Sequence, residues 1–78
     1  MKDALLYILI AIVDDTDSVR VEEQEIDGIL ELQIFVAKED IGKVIGKNGK
    51  IIRAIRNVIK ILAMKQNKKI QVSVNEFE

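Results

Sequence analysis

The chain has no cysteine, proline, histidine or tryptophan. Without cysteine there is neither a disulfide frame nor a thiolate metal site. Without proline no slow cis–trans folding step is expected. Without cysteine or histidine the usual nucleophiles and bases are missing, and side-chain hydroxyls are limited to Tyr7, Thr16, Ser18 and Ser73, so an enzyme is not expected. Aromatic residues are few: Tyr7, Phe35 and Phe77. Asp14, Asp15 and Asp17 lack the glycine and glutamate of an EF-hand loop, and Glu22, Glu23, Glu25 and Asp27 read as a solvated rim, so no metal or cofactor site is expected. The longest apolar run, Ala4–Val13, is far short of the ~20 residues that span a bilayer. Aspartates follow it instead of a small-residue cleavage site, so it reads as a buried helix; no membrane insertion and a cytoplasmic location are expected.

What remains is 78 residues, enough for a single domain over 1–78 with an expected stability of ~4–8 kcal/mol. The net charge of −1 conceals a polarity. Met1–Ala37 holds two basic and nine acidic residues, whereas Lys38–Glu78 holds ten basic and four acidic. Between Ile41 and Ile70 every charge is positive. A charge run is usually a solvated lysine-rich face, but segregation this complete raises the alternative of a surface that faces a polyanion.

Periodicity predicts α-β-β-α-α-β. A helix over Lys2–Val13 carries an apolar stripe of Leu5, Leu6, Leu9, Ile12 and Val13, widened by Ala4, Ile8 and Ile10. Ser18–Ile26 and Ile29–Ala37 form a hairpin, because Asp27-Gly28 suits a two-residue type I′ turn. That turn sets the register: Ile26 opposes Ile29, Val21 opposes Ile34 and Val19 opposes Val36. One face then carries Val19, Val21, Leu30, Leu32, Ile34 and Val36, and the sheet is expected to be covered on that side alone. A short helix over Asp40–Ile45 follows, then a break at Gly46–Gly49, then a helix over Lys50–Lys65. On this last helix Ile51, Ile52, Ile55, Val58, Ile59 and Leu62 are predicted to face inward, and Arg53, Arg56 and Lys60 outward. A final strand carries Ile70, Val72 and Val74. The predicted class is α+β: a three-stranded mixed sheet with three helices on one face, the last two strands parallel through a right-handed crossover.

The break is the informative part. Gly-x-x-Gly between two helices makes a tight bend, and glycine lets another chain's backbone approach closely. The first N–H groups of the following helix are expected to be unpaired and to suit a phosphate. Lys47 and Lys50 add charge, and Lys43 lies one turn back. Ile41, Val44, Ile45 and Ile52 are expected to offer an apolar wall to bases, with the sheet edge opposite. With so few aromatics, stacking adds little and sequence specificity is expected to be modest. A nucleotide-binding P-loop does not fit: Gly42 to Gly46 is one residue short, and Asn48 stands where Ser or Thr is required.

The stretch Ile45-Gly46-Lys47-Asn48-Gly49-Lys50-Ile51-Ile52 resembles the signature of KH domains, whose Gly-x-x-Gly loop clamps four backbone nucleotides of single-stranded RNA. The element order resembles the type II, bacterial arrangement. Over nearly the whole chain, "DSVRVEEQEIDG" and "VAKEDIGKVIGKNGKIIRAIR" included, the layout is similar to the small single-KH bacterial proteins of the KhpA family. The resemblance implies RNA binding, a role in post-transcriptional regulation, self-association, and pairing with a larger KH-containing protein. It carries the clamp onto Gly46, Lys47, Asn48 and Gly49, and the RNA groove onto Ile41, Lys43, Val44, Ile45, Lys50, Ile52 and Arg53. One departure is the first helix, "ALLYILIAIV", more apolar than is usual in that family. Ile61 and Met64 fall outside the predicted inward face. They are either partly buried against a neighbour or, with the small Ala54, part of a homodimer contact. The rival to an RNA-binding protein is a protein-interaction module in which RNA binding is secondary.

Overall fold

A computed structural model describes Met1–Glu78. Helix α1 (Lys2–Ile12) is followed by strands β1 (Val19–Ile26) and β2 (Ile29–Val36), a 3-10 turn at Lys38–Asp40, helix α2 (Ile41–Ile45), a second 3-10 turn at Lys47–Gly49, helix α3 (Lys50–Met64) and strand β3 (Lys69–Glu76). The sheet order is β1-β2-β3. β1 and β2 are antiparallel in the register that the Asp27-Gly28 turn dictates. Both turn residues have positive φ, 52° and 79°, which matches the twist of the flanking strands. β3 runs parallel to β2, pairing Leu30 with Ile70 and Ile34 with Val74.

The helices cover one face of this sheet. Leu5 and Leu9 of α1, Val44 of α2, and Ile55 and Ile59 of α3 meet Val21, Leu32, Ile34 and Val36 in one cluster. Burying each large aliphatic side chain contributes roughly 1.5–3 kcal/mol, so this cluster dominates the favourable side of folding. The other sheet face is open. There Arg20 lies over the ring of Phe35, 4.5 Å from its centroid, and 5.5 Å from that of Phe77. Phe77, beyond the end of β3, is tied down by its N–H donating to the Val36 carbonyl at 2.8 Å.

Helix α3 ends without proline or glycine. Asn67 takes φ 56°, Asn67 N–H donates to the Met64 carbonyl at 3.1 Å and Lys68 N–H to the Ala63 carbonyl at 3.0 Å. This is a Schellman motif with asparagine in the left-handed position. It turns the chain back into β3, and Lys68 then pairs with Glu25 at the far end of the hairpin.

Two predicted inward residues of α3 face solvent: Ile51 is 38% exposed and Val58 47%. The buried positions are Ile55, Ile59 and Ala63, flanked by half-buried Ile52 and Leu62. The buried face is therefore rotated towards the Ile52–Ala63 flank, and the Ile51–Val58 flank is left uncovered. In α1, Ile10 is likewise 46% exposed.

Candidate nucleic-acid interface

The chain passes from α2 to α3 through four residues, three of which have positive φ: Gly46 (75°), Asn48 (57°) and Gly49 (73°). The two glycines are needed for different reasons. Gly46 has ψ 172°, a region open essentially to glycine alone. A Cβ there would also lie 2.5 Å from Cγ1 of Ile51 and 2.9 Å from its backbone nitrogen. Gly49 is left-handed (ψ 18°), but a Cβ on it would meet nothing nearer than 3.8 Å. Gly46 is thus the tight corner on which Ile51 sits, and Gly49 only sets the direction in which α3 begins.

Several amides of this bend are used within it. Gly46 N–H donates to the Gly42 carbonyl at 2.9 Å and Gly49 N–H to the Gly46 carbonyl at 3.1 Å. Lys50 N–H donates to the Lys47 carbonyl. The expectation of a bare helix start is corrected at Lys50, whose donor closes the turn. No side chain caps α3. From within α3, Arg53 Nη2 donates to the Asn48 carbonyl at 2.6 Å. This bond holds the one non-glycine residue of the bend that is left-handed, and it sets the guanidinium beside the loop.

Around this frame, Lys47, Asn48, Lys50 and Arg53 are all exposed. Lys43 is placed differently. Its ammonium pairs with Asp14 and lies 3.8 Å from Asp40 Oδ1. Asp40 is 2% exposed and accepts the N–H groups of Asp15 at 3.0 Å and Asp14 at 3.2 Å. The Asp15 N–H is the largest influence holding the Asp40 carboxyl below its ordinary pKa, with the Asp14 N–H and Lys43 acting the same way against burial. The hydrogen bond to Asp14 raises that of Lys43. The two carboxylates offset the Lys43 charge, and the trio ties the α1–β1 turn to the start of α2.

The apolar wall is narrower than the sequence implies. Ile45 is exposed, and Ile41 and Ile52 are half-buried. Val44 is 0% exposed and belongs to the core cluster. In a helix of one turn the residue that anchors α2 to the sheet cannot also face outward, so Val44 is corrected from groove to core. β3 is an edge strand and touches both α2 and α3, so a sheet edge does lie across from the helices. Ala54, Ile61 (59% exposed) and Met64 (64% exposed) are all at the surface. At 100° per residue Ala54 and Ile61 share one flank with Ile51 and Val58, while Met64 falls towards Arg53 and Lys60.

A mixed three-stranded sheet in the order α-β-β-α-α-β, with Gly-x-x-Gly turning between the second and third helices, defines a KH domain of the type II arrangement. The family model described as "KhpA/KhpB, KH domain" matches residues 2–74. The chain is 46% identical over 74 residues to the RNA-binding protein KhpA of Clostridium acetobutylicum, covering 95% of this chain and 99% of that one. It is 42% identical to the RNA-binding protein KhpA of Clostridium perfringens, with the same coverage. The RNA-binding protein KhpA of Listeria monocytogenes is 37% identical over 97% of this chain and all of its own. The chain belongs to the KhpA/KhpB KH-domain family. No solved structure matches it, and none of its helices is long and apolar enough to cross a membrane.

Proposed function

We propose that this protein binds single-stranded RNA in the cytoplasm. The backbone of about four nucleotides crosses the Gly46-Lys47-Asn48-Gly49 bend. The observation that carries this reading is the bend itself. A corner with no room for a side chain lies between two helices, and the exposed ammonium groups of Lys47 and Lys50 and the Arg53 guanidinium border it. Relatives that match over their full length are named RNA-binding proteins. Ile45 and the exposed parts of Ile41 and Ile52 serve as the apolar wall for bases. Aromatic platforms are absent from this side, so affinity comes mainly from the phosphates and discriminates little between sequences. Such a binder suits post-transcriptional regulation.

The test is the double change Lys47→Asp with Asn48→Asp, since aspartate tolerates the left-handed conformation at 48. Binding of a short single-stranded RNA should fall by on the order of a hundredfold by fluorescence polarisation, with the melting temperature unchanged. Undiminished affinity sinks the clamp. Wild-type binding should also weaken with salt, with a log–log slope of about −2 to −3 for three or four neutralised phosphates.

A second reading is favoured by the uncovered flank of α3. Ile51, Ala54, Val58 and Ile61 recur at alternating spacings of three and four, the pattern of a helix-pairing seam, and small Ala54 permits close approach. We read this seam as the contact for a second copy of the chain or for a larger KH-containing partner. Ile61→Asp should convert a dimer to a monomer by light scattering, and a dimer that persists excludes this seam.

A further inference from the structure

The basic residues of α3 do not stop at the bend. Arg53, Arg56 and Lys60 follow one another at spacings of three and four, so they form one row along the helix. The row leads into a groove of about 400 Å³ between the C-terminal half of α3 and the start of β3, lined by Arg56, Lys60, Met64, Lys68, Lys69 and Ile70. We propose that this groove is a second nucleotide subsite, which takes a nucleotide of the same RNA strand beyond the four held at the bend. The proposal rests on the RNA-binding reading of the bend and extends it.

The chemistry of the lining is that of a nucleotide and not only of a phosphate. Met64, 64% exposed, and Ile70 give an apolar floor, and a thioether packs well against an aromatic ring. Arg56, Lys60 and Lys69 form a basic rim. None of these three takes part in any of the chain's ion pairs, so their charges are uncompensated. Lys68 is different: Glu25 holds its ammonium. A planar guanidinium at Arg56 suits a phosphate or the face of a base.

The far end of this groove, at Met64, stands away from the bend. α3 has 15 residues, about 22 Å from end to end, and Met64 ends the helix that the bend begins. A strand anchored at Lys47 reaches Met64 only by continuing past the clamped nucleotides. The groove also lies on a different flank of α3 from Ile51, Ala54, Val58 and Ile61.

The test compares oligouridylates of about four and about ten nucleotides, the length that the bend takes and one well beyond it, by fluorescence polarisation. A longer oligomer gains affinity from overlapping registers in every variant alike, so the quantity to read is the ratio of variant to wild type at each length. Arg56→Gln with Lys60→Gln should weaken the long oligomer on the order of tenfold and lower its salt slope by about 1.4, about 0.7 for each lost phosphate contact. The short oligomer should change less than twofold. Arg56→Lys with Lys60→Arg, which keeps both charges, should restore most of the long-oligomer affinity. Equal ratios at the two lengths, whether both near one or both large, overturn the subsite while leaving the bend in place. A short oligomer indifferent to Lys47→Asp with Asn48→Asp overturns the bend reading and the subsite with it.

Discussion

Two turns of this protein have nearly the same backbone and opposite surroundings. Asp27-Gly28 has φ values of 52° and 79°, and Asn48-Gly49 has 57° and 73°. The first joins two strands, carries an aspartate, and lies beside Glu25. The second joins two helices and lies among Lys47, Lys50 and Arg53. A left-handed pair ending in glycine is therefore only chain punctuation. What sets the bend apart, and carries the proposed clamp, is what is added: a glycine corner at Gly46 with no space for a side chain, a latch from Arg53, and charge of one sign. The acidic hairpin serves the sheet register, and its charge is opposite in sign to that around the other turn.

The largest expected effect sharpens the difference between the glycines. Gly46→Ala meets both a forbidden backbone conformation and the Ile51 side chain, and should cost about 3 kcal/mol or more. That is much of the stability of so small a domain, and thermal unfolding would show it directly. Gly28→Ala, whose added Cβ meets nothing within 4 Å, should cost only the left-handed penalty, about 1–2 kcal/mol.

Next in size is the charge contrast. The loop double change described above should cost about 2.7 kcal/mol of RNA affinity, the equivalent of a hundredfold. Asp27→Lys, which gives the hairpin turn a positive charge, should not create a second binding turn, because nothing there supplies the Gly46 corner. RNA binding gained at Asp27→Lys by polarisation would erase the distinction between the two turns.

Smaller still is the latch. Arg53→Ala removes the bond to the Asn48 carbonyl and should cost about 1 kcal/mol of stability at most, since the bond is at the surface. RNA affinity should drop several-fold, and amide exchange should speed up at Gly49. Asn48→Gly in the same background should recover part of the loss, because glycine holds the left-handed conformation unaided.

The smallest expected effect is on pH dependence. Asp40 has a folded pKa depressed below 3.8. Its contribution is present above that value and is lost as pH falls through the depressed folded pKa. Lys43 is raised above 10.5, so its contribution is present below 10.5 and lost as pH rises through the higher folded value. Stability should be level between these limits as far as this pair is concerned. Asp40→Asn should flatten the acid limb of a denaturation series, and an unchanged acid limb would contradict the assigned role.

The hairpin was fully legible because Asp27-Gly28 leaves one register open, and each pairing from Ile26–Ile29 to Val19–Val36 follows from it. The parallel β2–β3 pair was legible from two helices intervening between two strands. The face of α3 was only partly so. A wheel shows Ile51 and Val58 on an apolar arc, but which part of a broad arc is covered depends on where β3 and α1 pack. Val44 was misplaced for a related reason, since a one-turn helix offers too few residues to separate an inner from an outer face. Asp40 reads as an ordinary start of a helix, yet its carboxylate reaches back to Asp14 and Asp15. Contacts across twenty-five residues of sequence leave no local signal, and neither does the resulting capture of Lys43.

The most direct test of the central claim is a two-dimensional NMR titration of the protein with a short single-stranded RNA. Amide shifts should concentrate at Gly46–Arg53 and leave Asp27 and Gly28 unmoved. Shifts centred on the open sheet face, around Arg20, Phe35 and Gln71, with residues 46–50 silent, would contradict it.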